Sequence, residues 1–525
     1  MERFPRNAEN GDGDRNPSIR LFGRRFSNDL QTMNALAELL LVAASDKEVL
    51  SDSGTSFTTT GFFPDADGLR ALRENAAGLA YYPKARLNLK LFSFLGASSL
   101  TTRYRVHQEH ARELRRLLGE RIDAPAGVEP QTVLQTLSAL FLGFLGNGAG
   151  RTWSAQTFLP FHPSLLCCET ICKKDTRRLP VDQWDVAIRQ HCDFSKHEIF
   201  DRSGESLYLQ LCNAFSRTKE EVSAWLEERK DIKQALRTEV TDPTALAAAL
   251  SKALKNFLSS APAGLEPVLK FVDTGVDRNT AEASDGTEEN PRRAECGWIP
   301  AESWREGYLF AVETTRLLSS KLDPMEALDL LEVACSLQIM RTLVRQACRH
   351  SGTGELRLLL CDAGGDSRKR KALSGRSLQE IAKTLKLAIR APDIRNAVLE
   401  TERRRGAADP EGELDKDYRE GDAYGCGLHR KIGKSIGLIV PPKGVMKATL
   451  NERLLRCLVL TLVPEKRTTL DSFKARLEAH HGFVFDPPGG GEGDAWLERI
   501  LEAAGMLVRL SDACSLVRNP FAPQD

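Results

Sequence analysis

The sequence has no excess of charge of one sign. Its 525 residues carry 73 Lys and Arg against 72 Asp and Glu, a net charge of +1. That balance argues against a whole-surface electrostatic grip on nucleic acid, so any such contact must come from a local patch. Long apolar runs are also missing. No stretch reaches the roughly 18 consecutive apolar residues of a membrane span, and the longest, ALAELLLVAA and LSALFLGFLG, have the length of buried helices. The opening MERFPRNAENGDGDRNP has no apolar centre, which argues against a secretion signal and for a cytoplasmic protein. The 12 Cys are scattered, several inside apolar runs (Cys335, Cys457, Cys514), and read as small buried side chains rather than a disulfide framework. There is no H-E-x-x-H pair and no repeat of fixed period.

What is present is the composition of an ordinary globular chain, 41% hydrophobic and 28% charged. The length has room for about two to four domains. Helix signals dominate. Asp323-Pro324 supplies a cap and a first-turn proline, followed by an apolar stripe through Leu330, Val333, Leu337, Met340 and Val344. Thr218 with Glu221 forms a capping box, and Asp242-Pro243 opens a run of strong helix formers. Leu30–Ala44, Thr101–Leu118, Gln131–Leu145 and Leu378–Ile389 read as further helices. Strand signals are few, chiefly ARLNLKLFSF and the short apolar run Leu356–Asp362. The expected fold is mainly α and multidomain, with short strands. Residues 1–19 read as a flexible tail, 20–277 as helical, 278–297 as a linker, 298–402 as helical with a short strand, and 403–430 as a charged linker. Residues 431–525 read as a C-terminal winged-helix-like module: a helix from the Thr449–Glu452 capping box, a second capped by Thr468, a third opened by Asp494, then a hairpin turning near Ser511–Ala513.

GLHRKIGKSIGLIVPP, beginning at Gly427, ends a G-x-x-x-x-G-K-[ST] pattern correctly at Gly433-Lys434-Ser435 but starts it one residue early. Acidic residues precede it and Pro441-Pro442 follow it, so neither the buried strand nor the helix of a phosphate loop is expected. The segment reads as a basic turn carrying Arg430, Lys431 and Lys434 before a strand at Ser435–Val440. A second basic run, Arg368, Lys369, Arg370 and Lys371 with Arg376 beyond, is the other candidate phosphate contact. Just ahead of it, Asp362 and Asp366 follow a buried run, where paired acids hold Mg2+ in many nucleases; a capped glycine turn explains them equally.

Cys168 and Cys172, then Cys192 and His197 after nineteen intervening residues, supply thiolate and imidazole ligands and make zinc the one cofactor the sequence suggests. Two buried thiols one helical turn apart are the structural alternative. His480-His481 ends a helix, where attraction of a cation to the helix dipole accounts for it. In the third C-terminal helix acids outnumber the single Arg499, which disfavours insertion into a DNA groove and favours a protein-facing role. Trp496, Arg499, Arg509 and Arg518 are the candidate partner contacts, with core packing the alternative for Trp496.

Ser18–Glu48, and the C-terminal stretch running from GKSIGLIVPPKG through NERLLRCLVLTLVPEKRTTLDSFKARLEAHHGFVFD, resemble segments of accessory subunits in bacterial phage-defence and DNA-modification-dependent restriction systems. The resemblance covers about a fifth of the chain and carries no catalytic motif. It implies a non-catalytic adaptor for an ATPase, helicase or nuclease of the same system, acting through protein contacts. Direct DNA binding through the basic patches and a metal-dependent nuclease around Asp362 and Asp366 are the alternatives.

Overall fold

The structure is a computed structural model that describes residues 2–6, 16–23, 30, 32–51, 56–75, 77–83, 85–86, 124, 126–133, 162–163, 166, 168–172, 192–198, 203–236, 241–260, 266, 293–352, 357–361, 368–441, 446–485, 492–511 and 514–522. It is mainly helical with short strands. The helix Pro324–His350 is its centre. Asp323 caps it by accepting a hydrogen bond from the Met325 N–H, and Pro324 takes the first turn, as its sequence predicts. Thr32–Ala44, Trp304–Ser319, Arg368–Ile389, Leu428–Ser435 and Glu452–Leu462 all pack around it. It is apolar on most sides because so many helices surround it. The capping box at Thr218 and Glu221 and the Asp242-Pro243 helix start are likewise as read from sequence.

Buried apolar side chains from Phe4 to Val517 join one core, which crosses the expected boundaries between 20–277, 298–402 and 431–525. The segment 20–277 also holds strands. Asp46–Ser51 lies between Ser56–Thr59 and Ala77–Tyr82 in an antiparallel sheet whose far edge is Ala294–Glu295, from the expected linker 278–297. Two close helix crossings rest on glycine. A Cβ at Gly307 would stand 2.2 Å from the Gln210 carbonyl oxygen, and one at Gly204 would stand 2.3 Å from that of Ala35.

Two expectations are corrected. In the expected tail, Arg3–Phe4 pair antiparallel with Ile299–Pro300, Phe4 is buried, and Pro17–Phe22 is a helix capped by Asn16. A polar, glycine-bearing composition hides two short apolar anchors, Phe4 and Leu21-Phe22. The expected linker 403–430 is helical as well. Pro410–Asp422 starts at Asp409, whose carboxylate accepts from the Gly412 N–H, and runs through a π turn, Ala423–Gly427, into Leu428–Ser435. Its apolar stripe is only Leu414 and Tyr418, packed on Val398 and Leu399, too narrow to stand out among so many charges.

In the C-terminal region the helices Glu452–Leu462, Leu470–His481 and Glu492–Ala503 are followed by the hairpin Leu507–Ser511 and Cys514–Arg518. A strand between the first two helices, Arg467–Thr469, completes a three-stranded sheet with Cys514–Arg518 in the middle. The caps sit slightly later than expected, at Asn451 and Thr469. Leu359–Leu360 pairs in parallel with Phe483–Val484, tying this region to the rest of the fold.

Candidate nucleic-acid interface

Neighbouring residues of a helix point about 100° apart, so a run of consecutive basic residues cannot act together on one face. Arg368, Lys369, Arg370 and Lys371 form the first turn of Arg368–Ile389. Lys369 is exposed, Lys371 half-buried, and Arg370 buried, its Nη2 donating to the Phe485 carbonyl at 2.6 Å. Arg370 is therefore a tie to the C-terminal region, a correction to its reading as a phosphate contact.

The same helix carries a basic surface of another kind. Leu378, Ile381, Leu385, Ala388 and Ile389 enter the core. Away from them, Lys369, Arg376, Lys383 and Arg390 recur every seventh residue, all exposed, with Lys386 beside the last pair. Seven residues are nearly two full helical turns, so these cations share one face. From Lys369 to Lys386 the stripe spans about 25 Å, roughly seven phosphates of one nucleic-acid strand. Asp422 partly offsets one end, accepting from Arg390 at 2.7 and 3.0 Å with Lys386 3.9 Å away. Lys369, Arg376 and Lys383 have no ion pair among the described residues.

Arg430, Lys431 and Lys434 sit on the helix Leu428–Ser435, where the sequence suggested a turn. All three are exposed, with Arg430 and Lys434 one turn apart. A cavity of about 90 Å³ separates this helix from the basic one; Gln379, Ala382, Cys426, His429, Arg430 and Met446 help line it. Gln379 lies between Arg376 and Lys383 on the stripe, so Arg430 faces that stripe across the cavity. His429 is buried and neutral, its pKa pushed down to about 4 by burial and then by Arg430. The arrangement is a two-helix cationic ridge suited to phosphate oxygens.

Gly433-Lys434-Ser435 ends its helix instead of opening one. Phosphate loops use the N-terminal, positive end of a helix; these residues sit at the negative end. Gly433 has a packing role, since a Cβ there would lie 2.5 Å from Ile439 Cδ1 and 3.2 Å from Met340 Cε. Asp362 and Asp366 lie outside the described residues.

The predicted zinc ligands fall on strands, not on a helix. Cys168–Cys172 pairs antiparallel with Cys192–Glu198, with Cys172 opposite Cys192 and Thr170 opposite His197. Four residues of extended chain put Cys168 and Cys172 about 13 Å apart. The register brings Cys172 and Cys192 into opposition, with Cys168 and His197 further along their strands. Among the described residues, no three His, Cys, Asp or Glu side chains gather around a metal-sized position.

The remaining candidates divide. Trp496 is buried and packs on Phe485 with ring centroids 6.1 Å apart, so it belongs to the core and not to a partner contact. Arg499, Arg509 and Arg518 are exposed, with Arg509 donating to Glu502 at 3.1 Å. His480 and His481 are not cations at a helix end. Burial pushes their pKa values down to about 4 and about 3, and the His480 ring bonds Glu313 at 2.7 Å. Burial opposes ionisation of Glu313, yet Arg341 chiefly, with the His480 hydrogen bond, holds its carboxyl far below the usual range. Arg341 meets that carboxylate through two bonds, at 2.6 and 3.0 Å.

The stripe was legible in sequence only at seven-residue spacing, which a search for contiguous charge passes over. Compared with protein families, curated proteins and solved structures, the chain matches none. No helix among the described residues is long and apolar enough to cross a membrane.

Proposed function

We propose that the chain is a non-catalytic subunit of a nucleic-acid-directed complex and contacts the phosphate backbone directly. The observation that carries this reading is the exposed cation series Lys369, Arg376, Lys383, Lys386 and Arg390 on one helix face, flanked by Arg430 and Lys434. Such a surface reads charge and not sequence, so binding is non-specific and steeply salt-dependent. The test is fluorescence anisotropy on a labelled 20-base-pair duplex from 50 to 200 mM salt. The double variant Arg376→Gln/Lys383→Gln is expected to bind at least tenfold more weakly at 50 mM and to flatten the log–log salt slope by about 2, near one unit for each phosphate left without its cation. No binding by the unaltered protein at 50 mM salt removes the reading.

The adaptor role implied by the sequence resemblance is the second reading, and the C-terminal region favours it. Its order of helix, strand, helix, short strand, helix and two strands, with the first strand beside the last, supports the winged-helix-like reading. Its third helix sets Glu498 and Glu502 beside Arg499, a mixed charge better suited to protein than to a DNA groove. The partner would be an ATPase, helicase or nuclease of the same system. Affinity capture of tagged protein after nuclease treatment should retain such a partner, and reversal of Arg499 to Glu should release it. Recovery of nucleic acid alone counts against the adaptor.

A further inference from the structure

A second cavity lies away from the basic ridge. It measures about 390 Å³ and is lined by Glu2, Arg3, Arg6, Arg73, Glu74 and Arg217, with Phe4 and Ala301 completing its wall. Its size falls within the range of small-molecule sites. The four guanidinium groups come from three parts of the chain. Arg3 and Arg6 belong to the N-terminal segment docked on Ile299–Pro300, Arg73 to the end of the helix Ala66–Glu74, and Arg217 to the turn after Ser203–Phe215.

Their positions are fixed by contacts that leave them cationic. Arg3 lies over the Trp298 ring, 4.2 Å from its centroid. Arg6 donates to the Glu74 carbonyl at 3.2 Å, and its own backbone N–H bonds the Leu72 carbonyl. Arg73 makes two bonds to Glu221, at 2.6 and 2.7 Å. Arg217 donates to the Asn213 side chain at 2.9 Å and stands 3.6 Å from Glu221. One carboxylate, Glu221, thus serves two guanidinium groups, and Arg305 adds a further positive charge near Arg217. Arg217 Nε is buried with no acceptor among the described residues. A buried donor without an acceptor is destabilising unless something supplies one. Planar guanidinium groups converging from separate elements match the oxygens of a phosphate. Glu2 and Glu74 add acceptors for hydroxyl or amino groups.

From this geometry we infer that the cavity bounded by Arg3, Arg6, Arg73 and Arg217 is a binding site for a small phosphorylated ligand of nucleotide size. The di- or triphosphate sits among the arginines, and the carboxylates of Glu2 and Glu74 take hydroxyl or amino groups of the rest of the ligand. The site is independent of the ridge proposed to hold nucleic acid.

Isothermal titration of the full chain at 50 mM salt with ATP and with pyrophosphate is the test. Both are expected to bind, ATP the more tightly. Among the described residues Arg6 makes one side-chain bond, to a backbone carbonyl at the surface, so Arg6→Gln should fold normally and weaken both probes about tenfold. Arg6→Glu should abolish binding. Arg376→Gln/Lys383→Gln should leave both affinities unchanged, which separates this site from the ridge. No heat at 1 mM of either probe overturns the inference, and so does binding that Arg6→Glu leaves intact or that the ridge variant removes. Circular dichroism and the thermal midpoint of each variant show that a loss of binding is not a loss of fold.

Discussion

His480 and His481 stand side by side at the end of Leu470–His481, uncharged because burial outweighs the pull of Glu313. Their folded pKa values, like that of His429, lie below the ordinary histidine value of 6.5. The unfolded chain therefore takes up more protons as the pH falls below about 6.5, and the folded state loses stability through that window. The slope is up to about 1.4 kcal/mol per pH unit for each such histidine. Glu313 acts in the same sense at lower pH. Its carboxyl is depressed, so its contribution is present above pH 4.5 and declines below it. Urea unfolding between pH 4.5 and 7.5 should show the midpoint dropping steadily below 6.5, and replacing His429 by Gln should make that drop shallower. Glu313→Ala should cost about 3–5 kcal/mol at pH 7, because Arg341 is left buried without its counter-charge. A loss under 1 kcal/mol would mean that water reaches Arg341.

Among the elements, caps were the most legible feature of the sequence. Asp323-Pro324, Thr218 with Glu221, and Asp242-Pro243 each start a helix by a bond spanning two or three residues, so local chemistry suffices. The charged stretch from Pro410 was not legible, because its helix depends on Leu414 and Tyr418 finding Val398 and Leu399. The basic ridge was half legible: its residues were in view, but contiguity drew attention to Arg370, which the helix turns inward. The arginine cavity gave no local signal at all, since Arg3, Arg73 and Arg217 meet only after folding. Gly433 invites a direct test at this scale. Gly433→Ala forces a Cβ against Ile439 and should destabilise the fold by about 1–3 kcal/mol. Lys434→Ala, one residue on and exposed, should stay within about 0.5 kcal/mol while weakening DNA binding. Chemical denaturation of the two variants, side by side, decides it. Equal losses would mean that the segment acts as a unit and not as a packed glycine beside a free cation.

Across the whole molecule, the expected division into separate helical domains gives way to one core, from Phe4 to Val517. The C-terminal region is held to it by polar bonds as well as packing. Arg345 donates to the carbonyls of Ala479 and His480 at 2.6 and 3.2 Å, and Arg370 to that of Phe485. Leu359 and Cys361 donate from the other side to Gly482 and Val484. A chain ending before residue 450 would expose Leu330, Val333 and Leu337 and deprive Arg345 of the Ala479 and His480 carbonyls. It should fail to show a cooperative thermal transition, whereas the full chain should unfold in one step by calorimetry. Two well-separated transitions in the full chain would contradict the shared core.

Those bonds to Ala479, His480 and Phe485 also bear on how such a protein can change over generations. A C-terminal region joined only through a linker could be exchanged as a finished part. Here the join is written into the long helix, at Arg341 and Arg345, and into Glu313 on its neighbour. A replacement piece would have to present two backbone carbonyls and a buried imidazole in the same places. The C-terminal region therefore depends on the helix beneath it, and substitution on its outer face should be tolerated far better than exchange of the piece.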